Sequence, residues 1–242
     1  MVLTAIDFLN GLFSLIFVSV TIIVGLKIAL KYFEIKQRIF LYIGLGWAGI
    51  CSAWYPSSTS FLLYLITGSI LEPVPYFFIG NVILHLSGTL FVMGVTEMVY
   101  KERQKIIVGI FVVIGIVYNI YFYYLLFTTP EAIGIVELFN STYYGIVRYY
   151  LIFLIAVLYI SVLLLARQSL KSNEPEIKWR GRLIIPALTC YLVGAIFDAT
   201  PIASINEITL IITRSILISA SILFYIAFLM PEFIKKRLIK ES

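Results

Sequence analysis

Histidine and cysteine are scarce in this chain. Its 242 residues include one histidine, His85, and two cysteines, Cys51 and Cys190. Catalytic zinc sites use at least three protein ligands, commonly histidine with aspartate or glutamate, and a bis-histidine haem needs a pair. The chain also has no nucleophile elbow, glycine-rich phosphate loop or cysteine cluster. The sequence therefore predicts a protein that is not an enzyme and that holds no metal or cofactor.

Charged residues are scarce as well, at 13% of the chain, whereas hydrophobic residues make up 61%. No soluble domain of this size can hide so much apolar surface from water, so the composition indicates an integral membrane protein. The net charge of +5 could suggest nucleic acid as a partner. The basic residues, however, form short clusters between apolar runs, as they do beside membrane helices, and this pattern excludes nucleic-acid binding.

Seven apolar runs are long enough to cross a bilayer as helices, for which roughly 20 residues are needed. The predicted spans are about residues 8–30, 39–55, 76–100, 106–127, 143–166, 183–198 and 207–230. An eighth apolar run, 61–71, is too short to cross, and we expect a re-entrant or interfacial segment there. The prediction is an all-α, polytopic bundle in one transmembrane domain, residues 1–231, followed by a basic tail, residues 232–242.

The distribution of basic residues predicts the orientation. Sixteen of the eighteen lysines and arginines lie in or beside the loops after spans 1, 3 and 5 and in the tail; the other two, Arg148 and Arg214, lie inside spans. Cytoplasmic loops carry such an excess. We therefore expect the amino terminus outside, the carboxyl terminus in the cytoplasm, and a multi-pass protein of the cell membrane.

Arg214 is the most unusual residue of the last span, because it lies about a third of the way into a long apolar run. A charge at this depth is costly in lipid and usually faces the protein interior or a wet cavity, which makes it a functional-site hypothesis. The alternative is a purely structural ion pair with Asp198, Glu207 or Glu97.

Other polar residues fall in the same outer half of the predicted bundle. Together with Arg214, the candidate ligand-binding residues are Asn81, His85, Asn119, Arg148, Asp198 and Glu207. Their common level suggests a cavity that opens to the outside. Simpler roles stay open for three of them: His85 as a hydrogen-bonded core histidine, Arg148 as a side chain that extends to the headgroups, and Asp198 as a solvated helix end.

Seven spans with an outside amino terminus resemble microbial rhodopsins and heptahelical receptors in architecture. Rhodopsins attach retinal to a lysine of the seventh helix, and this chain has no lysine between Lys178 and Lys235. A retinal Schiff base is therefore excluded. The ending FYIAFLMPEFIKKRL, in which an aromatic-rich helix runs through a proline into a basic segment, is similar to the exit from the seven-helix sensor region of prokaryotic histidine kinases.

The resulting hypothesis is a receptor-like membrane sensor for signal transduction. It would bind a small ligand, which could be anionic, in the outward-facing cavity and relay a change in helix packing to the cytoplasmic face, where a cytoplasmic or membrane partner would read it. Two alternatives stay open: a small transporter that uses the same cavity by alternating access, and a non-catalytic structural or scaffolding bundle. The bilayer is the expected environment, and association with a second copy is also left open.

Overall fold

The computed structural model describes residues 3–199 and 206–239. It confirms an all-α fold in which seven helical runs are long and apolar enough to cross a membrane. The runs are Ala5–Ile35, Arg38–Thr67, Pro73–Val99, Lys101–Thr128, Gly145–Leu170, Pro175–Asp198 and Glu207–Leu229. The chain is therefore an integral, multi-pass membrane protein.

Ten α-helices and one β-hairpin make up the described fold. The helices are α1 (Ala5–Ile35), α2 (Arg38–Ile50), α3 (Tyr55–Thr67), α4 (Pro73–Asn81), α5 (Leu84–Val99), α6 (Gln104–Thr128), α7 (Gly145–Leu170), α8 (Pro175–Asp198), α9 (Glu207–Leu229) and α10 (Glu232–Ile239). The hairpin pairs β1 (Gly134–Val136) with β2 (Ser141–Tyr143) in antiparallel register.

The second helical run extends further than the sequence suggested. A 3₁₀ turn, Cys51–Trp54, joins α2 to α3, so the chain stays helical to Thr67 rather than ending near Tyr55. Pro56 does not stop the run because it lies in the first turn of α3, where its missing N–H would have no intrahelical acceptor anyway. Most of segment 61–71 is thus the end of this run, which closes at Gly68 in the left-handed conformation, with φ of 73°.

Six of the helical runs close into a ring. Contacts join α1 to α2, α2 to α5, α5 to α7, α7 to α8, α8 to α9 and α9 back to α1. The stacked rings of Trp47 and Phe224, with centroids 3.8 Å apart, fill the centre between α2 and α9. Helix α6 packs on the outside against α4 and α5 and leaves most of its apolar surface exposed.

Glycine allows α1 and α2 to approach almost to backbone contact. A Cβ atom on Gly44 would lie 2.4 Å from the backbone nitrogen of Ala29, and one on Gly25 would lie 2.6 Å from the carbonyl oxygen of Gly44. Small residues at helix interfaces permit this packing, which stabilises membrane bundles where no hydrophobic effect acts between helices.

The β-hairpin covers one end of the ring, which we call the hairpin end. Its turn is held by two side chains: Ser60 donates a hydrogen bond to the Leu138 carbonyl oxygen at 3.2 Å, and Asn10 donates to that of Phe139 at 3.3 Å. The Phe139 ring packs edge-on against Phe61, with centroids 5.3 Å apart. These contacts tie the turn to α1 and α3. The predicted spans left this region as the loop between spans 4 and 5, without a hairpin.

The opposite end carries most of the basic residues, and we call it the basic end. Here Glu176 of α8 forms ion pairs with Arg180 at 2.7 Å and with Lys235 of α10 at 2.6 Å. The hydrogen bond to Glu176 raises the pKa of Lys235. Arg180 also donates to the Phe228 carbonyl oxygen in α9 at 2.9 Å. The tail helix is thus attached to the start of α8 and, through Arg180, to the end of α9.

The close approach of α1 and α2 gives a test of the fold. We expect Gly44→Val to lower the stability by about 2 kcal/mol or more, because the added side chain would overlap the backbone of α1. Gly109→Val is the matched control, since a Cβ atom at Gly109 has no neighbour within 4 Å. Thermal unfolding in detergent measures both, and equal melting temperatures for the two variants would contradict the packing.

Candidate functional site

Arg214 lies at the centre of a buried polar cluster near the hairpin end. Its side chain is only 2% exposed, and its Nη2 atom lies 3.0 Å from a carboxylate oxygen of Asp198, which is 13% exposed. The same nitrogen donates a hydrogen bond to Oδ1 of Asn10 at 2.7 Å. Of the three candidate acidic partners, Asp198 is therefore the one that pairs with Arg214, and the pair joins α8 and α9 to α1.

The ion pair satisfies only part of the guanidinium group. An arginine side chain has five N–H donors, and the two contacts above both use Nη2. Nε and Nη1 are buried and have no hydrogen-bond partner among the described residues. Buried donors without partners cost free energy, so the site favours a molecule that supplies acceptors to them.

Further hydrogen bonds hold Asp198 and Asn10, the two partners of Arg214, in position. The second carboxylate oxygen of Asp198 accepts a hydrogen bond from the indole N–H of Trp54. Trp54 lies in the 3₁₀ turn between α2 and α3, so the break in the second run is what places this donor. The Asn10 amide accepts from Arg214 and donates to the hairpin carbonyl of Phe139. One network therefore connects α1, α8, α9, the 3₁₀ turn and the hairpin.

A small polar cavity of about 50 Å³ lies beside Arg214. Its walls include Ile6, Asp7, Asn10, Glu137, Leu138, Phe139, Asn140, Asp198, Leu210 and Arg214. Three of these residues are acidic and one, Arg214, is basic, so the wall has an excess of negative charge. A volume of this size holds a few water molecules or one small organic molecule.

A larger cavity of about 130 Å³ lies inside the ring and is mostly apolar. It is lined by Ile50, Ala53, Trp54, Ser57, Leu84, Gly88, Phe91, Val92, Phe111, Asn140, Ser141, Tyr143, Leu151, Leu154, Ile155, Val157, Leu158, Tyr191, Ala195, Asp198 and Ala199. Asn140 and Asp198 line both cavities.

Two of the predicted site residues lie elsewhere and have their own partners. Asn81 donates to the Phe77 carbonyl oxygen at 2.9 Å, and its Oδ1 accepts from Tyr118 at 3.1 Å. The Nδ1 atom of His85 contacts the Tyr150 hydroxyl, and its ring stacks on Phe111 with centroids 4.9 Å apart. Neither residue lines either of the two cavities, and the contacts of His85 are those of a hydrogen-bonded core histidine.

The other three predicted residues do not meet Arg214 either. Asn119 of α6 has a buried Oδ1 without a partner among the described residues and lines neither cavity. Arg148 is exposed on α7. Glu207 is exposed in the first turn of α9, where Asn206 and Thr209 cap the helix. Of the seven candidates, the structure brings together Arg214 and Asp198.

The sequence analysis missed Asn10 and Trp54, which both contact the central ion pair. A signal for Asn10 was available: Asn10, Ser14 and Thr21 recur at helical spacing in the first span and are buried. Thr21 lies 2.8 Å from Ser221 of α9, hydroxyl to hydroxyl, so this stripe faces α9. Nothing comparable marked Trp54, because its position depends on the 3₁₀ turn.

The ion pair predicts strong coupling between its two members. Asp198→Asn should lower stability by about 3 kcal/mol, because it leaves the Arg214 charge buried and unpaired. Adding Arg214→Gln to that variant should restore part of the loss, since the double variant has no buried charge. Glu207→Gln, at an exposed carboxylate near the same end of the bundle, is the control and should change stability by less than about 0.5 kcal/mol. Denaturant unfolding in detergent measures these three variants and the single variant Arg214→Gln, and additive effects of the two single changes would contradict the pairing.

Comparisons with known proteins add no family to this description. No profile of a known protein family matches the chain, and neither a curated protein nor a solved structure shows significant similarity to it. What is established is an integral multi-pass membrane protein with seven candidate spans and a buried Arg214–Asp198 ion pair beside a small polar cavity.

Proposed function

We propose that the protein is a receptor-like sensor of the cell membrane that binds a small molecule carrying an acidic group beside Arg214. The observation that carries this proposal concerns the Arg214 guanidinium beside the small cavity: its Nε and Nη1 are buried and have no hydrogen-bond partner among the residues that the structure describes. A carboxylate is a strong acceptor for either of these N–H groups, because both partners of the hydrogen bond are charged.

The charges around the cavity narrow the class of ligand. Asp198 already balances Arg214, and Asp7 and Glu137 add negative charge to the wall. A simple anion would be repelled by these carboxylates, whereas a molecule that also carries a positive group would be attracted to them. The arrangement therefore supports a small zwitterion, with its carboxylate at Arg214 and its cationic group toward Asp7 and Glu137.

A ligand at Arg214 would affect the basic end because the Arg214–Asp198 ion pair joins α8 and α9, which both extend to that end. A ligand shifts helix packing only if it binds one arrangement better than another. An acceptor at Nε and Nη1 would compete with Asp198 and Asn10 for the position of the guanidinium, and so would act on the contacts among α1, α8 and α9. At the basic end, α8 and α9 are joined through Arg180, and α8 holds α10 through Glu176. A cytoplasmic or membrane partner would read the change there.

Three probes of similar size test the ligand class: glycine as the zwitterion, acetate as the anion and methylammonium as the cation. The readout is the increase in melting temperature of the purified protein at rising probe concentration, since binding to the folded state stabilises it. Glycine should stabilise the protein more than either acetate or methylammonium, because each of these carries only one of the two charges.

Two variants test which residue binds each charged group of the probes. Arg214→Gln should abolish stabilisation by glycine and acetate, whereas Glu137→Gln should remove the advantage of glycine and leave acetate unchanged or improved. Arg148→Gln, at an exposed arginine, is the matched control and should behave as the wild type. If folded Arg214→Gln protein is stabilised as much as the wild type, or if no probe stabilises the wild type, the proposal fails.

A further inference from the structure

The larger cavity suggests a second binding site that differs in chemistry from the site at Arg214. Most of its wall is apolar and comes from four parts of the ring: the 3₁₀ turn region, α5, α7 and α8. Most of its polar residues belong to the part of the wall nearest the hairpin or the end of α8: Ser57, Asn140, Ser141, Tyr143 and Asp198. Tyr191, seven residues before Asp198 in α8, also lines the cavity. The cavity thus has an apolar body and a polar end.

Small residues leave the space open. Gly88 of α5, Ala53 of the 3₁₀ turn, and Ala195 and Ala199 at the end of α8 all line the cavity. A Cβ atom on Gly88 would have its nearest neighbours at 3.4 Å, the ordinary contact distance, so the backbone there does not require glycine. Larger side chains at these positions would fill the space, so the cavity exists because these residues are small.

The chemistry of the wall decides what the cavity takes. Apolar cavities of this order of volume stay dry and accept small apolar molecules, because water finds too few hydrogen-bond partners in them. The polar end offers groups for one hydrogen-bonding substituent. Among them, Asp198 already accepts from both Arg214 and Trp54, so its charge is largely compensated.

We infer that this cavity binds the apolar body of an uncharged amphiphile, a single ring or a short hydrocarbon chain that bears one polar group, with the polar group at the hairpin end. This site goes beyond the proposed function and does not depend on it, because the wall of the larger cavity does not include Arg214. The two sites share Asn140 and Asp198, so occupancy of one should influence the other.

Trp54 makes binding measurable, because it lines the cavity and bromine quenches indole fluorescence at contact. The other two tryptophans are Trp47, stacked on Phe224, and Trp179, beside Arg182; they are replaced by phenylalanine to leave Trp54 as the only emitter. The probes are bromobenzene and 4-bromobenzyl alcohol. Both should quench Trp54 saturably, and the alcohol should saturate at the lower concentration.

A probe that dissolves in detergent or lipid could also quench fluorescence without entering the cavity. Variants that fill the cavity control for this effect. Gly88→Leu and Ala195→Leu should each remove the saturable part of the quenching, whereas Gly88→Ala, which adds one methyl group, should keep most of it. Neither probe carries an acidic group, so quenching without glycine or acetate tests this cavity separately from the proposed function. If Trp47→Phe prevents folding, Trp179→Phe alone is used, and the fillers should still remove the saturable part.

Two outcomes would overturn the inference. The first is quenching that rises linearly with probe concentration and is equal in the wild-type protein and in folded Gly88→Leu. That result would show that the probe does not enter the cavity. Saturable quenching in which bromobenzene binds as tightly as the alcohol would show that the polar end takes no part.

Discussion

The buried ion pair between Arg214 and Asp198 is the constraint on which the hairpin end depends. A charge this deeply buried requires a partner, and the partner here comes from the end of the neighbouring helix α8. Trp54 and Asn10 then hold the two charges in position, and Asn10 passes the connection to the hairpin turn. Loss of either charge would therefore affect α1, α8, α9, the 3₁₀ turn and the hairpin together.

Hydrogen bonds from the described residues satisfy the Arg214–Asp198 ion pair only in part. A buried ion pair often costs as much in desolvation as it gains, and it becomes favourable when additional hydrogen bonds satisfy the remaining groups. Asp198 has partners on both oxygens, whereas within residues 3–199 and 206–239 Arg214 has partners on one nitrogen only. The asymmetry places the unused hydrogen-bonding capacity on the arginine, next to a cavity, and this is why we propose a ligand with an acidic group.

Hydropathy predicted the seven spans well, because about 20 apolar residues in a row leave few alternatives to a membrane helix. It also singled out Arg214, and the pairing with Asp198 was one of the alternatives. The extent of the second helical run was less predictable. The predicted span ended at residue 55, just before Pro56, but a proline in the first turn of α3 allows the helix to continue. Periodicity could not show that His85 and Asn81 would find partners on α6 and α7, since those contacts depend on how the helices are arranged around the ring.

Native mass spectrometry of the protein in lipid nanodiscs tests the central claim most directly. The wild-type protein and Arg214→Gln are prepared in parallel, and the masses of molecules that remain bound are compared. We predict a small molecule with an acidic group on the wild type that is absent from a folded Arg214→Gln variant. The same molecules at the same occupancy on both proteins would contradict a ligand site at Arg214.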